Sequence, residues 1–195
     1  MTDRILTSKQ ALRRRIAAAR DALPAAEIEA GSRAIMERLF ALKAFERAAT
    51  AALFVAFRSE VRTEPIIARA LAAGKQVCVP RVCPGRRLRF RRITDLERDL
   101  EPGRWGIREP RPTLPEVEPE RVEVIAVPGV AFDGRGHRVG YGGGYYDAAL
   151  LEFEQASRVG LAFECQVVER VPDAEHDLAV DWVITESRTV DCHGA

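Results

Sequence analysis

Four glycines in five positions, Gly140, Gly142, Gly143 and Gly144, run directly into the helix-like segment YYDAALLEF. Bare backbone at the start of a helix leaves N–H groups open to an anion, and phosphate is the natural occupant. An ordinary connecting turn needs fewer glycines. The run matches neither GxGxxG nor GxxxxGK(S/T), so it brings no lysine of its own, and a phosphate held there needs cations from elsewhere. Arg138 stands two residues before the first glycine, while Lys9 and Arg13, four residues apart, share one face of a predicted N-terminal helix. Asp147, in the first turn after the glycines, suits either the helix dipole or Mg²⁺ beside bound phosphates. Asp177 is a second carboxylate of that kind, and His176 before it completes an HD pair that has no further ligands.

Other chemistries find less support. His137, His176 and His193 lack metal-ligand spacing, and no serine sits in a nucleophile elbow, which argues against hydrolysis by a triad. Glu60 follows an apolar run that ends at Phe57, so it falls at the carboxyl edge of a sheet, where open α/β folds bind ligands, although a plain surface glutamate is the commoner outcome at such a position. Cys78, Cys83, Cys165 and Cys192 form no CxxC pair and read as reduced, packed thiols. With 30 Lys and Arg against 29 Asp and Glu, net charge steers the chain toward no polyanion. Seven arginines around one hairpin, Arg81 to Arg98 with Phe90 among them, are the one feature that suits RNA. Charge guarding an exposed edge strand explains them better. No segment approaches the roughly 20 apolar residues of a membrane span, and the first 15 residues contain no signal-like apolar core. The reading expects a cytoplasmic monomer that binds neither nucleic acid nor membrane.

The elements needed to position these residues follow from periodicity. Ser8 is expected to cap a helix with Leu12, Ile16, Ala19 and Leu23 on its inner face, followed by a helix from Ala25 to Leu42 with Ile28, Ile35 and Leu39 inward. Strand 50–57, a helix capped by Thr63 and closed at Gly74, and strand 76–82 make a βαβ unit with a parallel sheet. RRLRFRRI at 86–93 reads as an edge hairpin strand with Leu88, Phe90 and Arg92 on one side. Residues 101–120, with five prolines, read as a long ordered loop around Trp105, of the kind that often serves as a lid. Strand 122–127, a turn-rich connection, the helix at Tyr145 and strands near 158–163 and 181–185 complete one α/β domain over residues 1–195.

The run PGVAFDGRGHRVGYGGGYYD at 128–147 closely resembles the signature of the 5-formyltetrahydrofolate cyclo-ligase family, also called methenyltetrahydrofolate synthetase. KQALR at 9–13, SEVRT at 59–63, WGIREP at 105–110 and EHDLAVDWVITE at 175–186 extend the resemblance, in family order, over nearly the whole chain. It implies a three-layer α/β domain with a mainly parallel sheet. It also implies an enzyme that uses ATP and Mg²⁺ to convert 5-formyltetrahydrofolate into 5,10-methenyltetrahydrofolate. By the same resemblance Lys9 and Arg13 contact ATP phosphates. Arg138 and the run from Gly140 through Tyr141, Gly142, Gly143 and Gly144 to Tyr145 wrap the triphosphate, with Tyr146 beside them. Asp147 and Asp177 serve the magnesium. Glu60 takes the pterin ring, Val55 and Trp105 line the folate pocket, and Tyr145 stands near the formyl group, with Arg138, at the point of reaction. The chain departs from the family pattern at Tyr141 and Gly143, where some members carry cations, and at Arg62 and Arg108.

Overall fold

A computed structural model describes residues 2–173 and 177–193, so Glu175 and His176 lie outside the described residues. In chain order the elements begin with helices α1 (Thr2–Asp21), α2 (Ala25–Ala41) and α3 (Lys43–Arg47). They continue with β1 (Thr50–Ala52), α4 (Glu64–Ala72), β2 (Gln76–Cys83) and β3 (Arg87–Ile93). Next come α5 (Leu96–Asp99), β4 (Leu100–Pro102), β5 (Arg108–Pro110), β6 (Val124–Val127), β7 (Ala131–Asp133) and β8 (Arg138–Val139). The chain closes with α6 (Tyr145–Leu150), β9 (Ser157–Leu161), β10 (Val167–Val168), β11 (Trp182–Ile184) and β12 (Thr189–Asp191).

Seven strands form the central sheet in the order β12-β11-β9-β6-β1-β2-β3. The five inner strands are parallel, and both edges, β3 and β12, are antiparallel. Alternate residues of the inner strands enter different cores, as a doubly covered sheet requires. Val77, Val79, Val124 and Ala126 join Ile35, Leu39, Phe45, Ile66 and Ile67 from α2, α3 and α4. Cys78, Ile125 and Val127 join Leu150 and Phe153, from α6 and the segment after it. The domain is therefore three-layered, as the resemblance implies.

A second, three-stranded sheet, β10-β7-β8, takes its strands β7 and β8 from the segment read from sequence as a turn-rich connection and β10 from residues after β9. It is tied to the main sheet by Phe132, which is fully buried and whose ring occupies the space a Cβ on Gly160 of β9 would need. α1 covers this small sheet, with Ile16 packed on Val130, Ala131, Val139 and Val171.

Several local expectations are corrected. α1 starts at Thr2, so Ser8 lies inside the helix rather than capping it, and at its far end Ala19 is exposed while Arg20 is buried. Strand β1 spans only Thr50–Ala52; the Leu53 N–H still donates to the Cys78 carbonyl at 2.9 Å, and the rest of the run to Phe57 continues outside the strand. Thr63 occupies the cap position of α4 without a capping hydrogen bond. Leu88 and Phe90 face one core and Ile93 the other, leaving Arg92 exposed beyond the covered part of the edge. Residues 101–120 are not one loop, since β4 and β5 pair into a small hairpin whose turn holds Trp105. The hairpin arginines meet carboxylates: Arg81 pairs with Glu101, Arg89 with Glu116 and Glu152, and Arg91 with Glu116.

Candidate active site

Strand order sets the position of the cleft. From β1 the chain crosses to β2 on one side, and the next parallel strand, β6, lies on the other, so the carboxyl ends of β1 and β6 splay apart. A cleft of about 770 Å³ opens there, floored by Phe54, Val55 and Pro128, within the usual size range of small-molecule sites. All the sequence-selected site residues border it: Lys9, Arg13, Val55, Glu60, Trp105, Arg138, Gly140 to Asp147, and Asp177.

One wall is basic. Lys9 and Arg13 project from α1; Lys9 pairs with the Asp177 carboxylate, and Arg13 Nε donates to the Gly140 carbonyl at 2.7 Å. Arg138, at the start of β8, has a side chain only 4% exposed, and its Nη2 donates to Asp147 Oδ1 at 2.6 Å. Its Nε is sealed from solvent and has no partner among the described residues. Between these cations runs the glycine turn, with Gly142 at φ 99° and Gly144 at φ 70°, conformations that a side chain would strain. A Cβ at Gly142 would also stand 3.6 Å from the Arg13 guanidinium. Only six residues follow in α6, too short a helix for a strong dipole, so attraction for an anion rests on the three cations and the open amides.

The opposite wall is aromatic and acidic. Glu60 is 6% exposed; its Oε2 accepts from the Phe57 N–H at 2.8 Å and its Oε1 from the Tyr141 hydroxyl at 2.7 Å. Burial pushes its carboxyl above the usual range, against the pull of the two hydrogen bonds and of Arg20. The Tyr141 phenol is likewise raised by burial and by Glu60. Each carboxylate oxygen keeps a lone pair for a ligand, so Glu60 presents a two-pronged acceptor. Tyr146 Oη is buried with no partner among the described residues, and burial holds it protonated. Trp105, 60% exposed and at φ 58°, meets the Tyr145 ring edge-on at 5.8 Å, closing one end of the cleft. Burial also pushes the Cys78 thiol up to about 12, which makes it a packing group rather than a nucleophile.

Two contributors escaped the sequence reading. Arg20 lies seven residues beyond Arg13 on the same face of α1, a spacing that would have revealed it had apolar residues alone not been counted inward. The other is Phe57, whose ring lies 6.2 Å from that of the sequence-selected Tyr141 in a contact that no local pattern announces.

Comparison with known proteins agrees with this architecture. The model of the 5-formyltetrahydrofolate cyclo-ligase family matches residues 5–186. The 5-formyltetrahydrofolate cyclo-ligase of Escherichia coli K12 is 36% identical over 144 residues, covering 71% of this chain and 79% of that one. Its namesake in Saccharomyces cerevisiae is 32% identical over 203 residues, covering 92% and 95%. The solved 5,10-methenyltetrahydrofolate synthetase of Aquifex aeolicus superposes with a TM-score of 0.85 at 33% identity, over 96% of this chain and 94% of that one. A match that spans both walls of the cleft and nearly the whole fold leaves one assignment: the chain belongs to the 5-formyltetrahydrofolate cyclo-ligase family.

Proposed function

We propose that this enzyme converts 5-formyltetrahydrofolate to 5,10-methenyltetrahydrofolate at the expense of ATP, with Mg²⁺ as the metal. The observation that carries the reading is a single cleft with three cations and an open glycine turn on one wall and a buried two-pronged carboxylate on the other. Those walls match the two ends of the chemistry, a polyphosphate and a pterin ring rich in N–H donors. The residues fit a nucleotide: the unpartnered Arg138 Nε is a donor still to be satisfied, and the glycines of 140–144 put backbone without side chains beside it. They fit magnesium too. Asp147 and Asp177 supply two hard oxygen donors, the number Mg²⁺ takes from protein when phosphate oxygens and water fill the remaining positions.

With both substrates bound, the chemistry supplied is transfer of the γ-phosphoryl group to the N5-formyl oxygen, followed by N10 attack on the formyl carbon and loss of phosphate as the ring closes. The protein's part is positioning and charge. Arg138, Arg13 and Lys9 stabilise the negative charge that builds on the phosphoryl group, and Glu60 fixes the pterin so that the formyl oxygen points at them. Val55, Trp105 and Tyr145 exclude water around the reacting centre. Asp147 and Asp177 would hold the magnesium, which neutralises phosphate charge.

The decisive measurement is growth of the methenyl absorbance when protein, 5-formyltetrahydrofolate, ATP and Mg²⁺ are mixed. No signal above the ATP-free control would end the reading. Lys9→Ala is expected to raise the apparent KM for ATP about tenfold, the scale of one charge-assisted contact, with little change in melting temperature. An unchanged ATP dependence would remove Lys9 from the site.

A further inference from the structure

Arg20 is the deepest cation of α1. It is 2% exposed, its Nε donates to Ser59 Oγ at 3.0 Å, and its guanidinium carbon lies 5.8 Å from the centre of the Tyr141 ring. Ser59 donates in turn to the Asp21 carboxylate, which also lies 3.8 Å from Arg20 Nη2. Arg20 Nη1 is buried without a partner among the described residues. A desolvated guanidinium with an unspent donor is costly to fold around, and a surface helix has no need of one. What it faces is the acidic wall: Tyr141 stacks beside it, and the Tyr141 hydroxyl reaches Glu60.

The groups acting on Glu60 come from several elements. Arg20 on α1 favours the ionised carboxylate, as do the Tyr141 hydroxyl and the Phe57 N–H, while Glu64 on α4 and burial oppose it. Tyr146 on α6 also lies within electrostatic reach of Glu60.

We propose that Arg20 is a positioning residue, fixed by Ser59, that aims Glu60 into the cleft through Tyr141 and keeps it an ionised acceptor for the N–H donors of the pterin. The inference rests on the reading of Glu60 given above, and it assigns specificity for the folate end of the cleft to a residue that need not touch substrate. The sign follows from charge. Removing the cation disfavours ionised Glu60, so binding that needs the carboxylate is lost at a higher pH than in the wild type.

The test uses the full-length protein and measures kcat and both KM values from pH 5 to 7.5 for wild type, Arg20→Gln, Arg20→Lys and Glu60→Gln, with thermal melts alongside. Arg20→Gln is expected to move the acid limb of kcat/KM for 5-formyltetrahydrofolate up by about one pH unit, so that its KM on that limb rises about tenfold. KM for ATP should stay within about twofold, and Arg20→Lys should recover most of the shift by restoring the charge. A folded Arg20→Gln protein with the wild-type limb overturns the proposal. Should that variant not fold, Ser59→Ala decides. It removes the half-buried hydroxyl that Arg20 Nε donates to and should raise the limb by about half a unit, and an unmoved limb overturns the proposal equally. Glu60→Gln separates the two claims. Normal folate KM in that variant defeats the reading of Glu60 itself, whereas lost folate binding there with an unmoved limb in Arg20→Gln defeats the role of Arg20 alone.

Discussion

Arg138→Met is expected to slow ATP-dependent methenyltetrahydrofolate formation by about 10²–10³-fold, the scale of removing one donor from a preorganised site. The side chain is 4% exposed and its partner Asp147 is 53% exposed, so the carboxylate left behind is solvated and the fold survives. Methionine follows the arginine stem through the same space, which confines the loss to the guanidinium. Single-turnover rates at saturating ATP measure it, because they separate the chemical step from binding. Arg138→Lys should recover only a part, since a point charge cannot reproduce a planar fork of donors. A loss below about threefold in a normally melting protein would take Arg138 out of the phosphoryl site.

Phe132→Ala is expected to lower stability by about 3–5 kcal/mol, among the larger effects of any single core truncation. The ring is fully buried and lies so close to Gly129 and Gly160 that neither glycine could carry a Cβ without displacing it. Its removal opens a cavity that backbone on both sides cannot fill, at the point where the small sheet meets the large one. Urea denaturation should show a lower midpoint at an unchanged slope. Activity should fall with stability, because β8, which carries Arg138, belongs to the sheet that loses its anchor. A stability loss below about 0.5 kcal/mol would show that the two sheets do not depend on this contact.

The longer helices and the inner strands were legible because each has a strong period or a full apolar face: Ile28, Ile35 and Leu39 in α2, or the unbroken VEVIAV around β6, whereas the short α3 and α5 went unread. Shorter pieces were not. β7 and β8 carry three and two residues, separated by the glycines of DGRG, so turn chemistry masked the ladder between them. β12 pairs through three residues near the end of the chain, where Thr189 and Asp191 are exposed and no alternation stands out. β4 and β5 both include prolines, which spoke for a loop although the edge position of each leaves their missing N–H groups without consequence. Within the cleft, the glycine turn and Arg138 stood out by residue type and spacing, whereas Lys9 and Arg13, which could equally line a solvated helix face, were singled out by the family resemblance. The union of Tyr141, Glu60 and Arg20 was not, since it joins residues 81 apart in sequence and a buried arginine set where an apolar stripe was anticipated.

Lys9 and Arg13 meet their partners 168 and 127 residues further along the chain. During synthesis α1 therefore emerges well before β7, β8 and the Asp177 segment that receive it. Until then its apolar stripe at Leu12 and Ile16 has nothing to cover it, and its cations stand far from the turn they serve. A chain cut short during translation is thus silent as a catalyst and sticky as a surface.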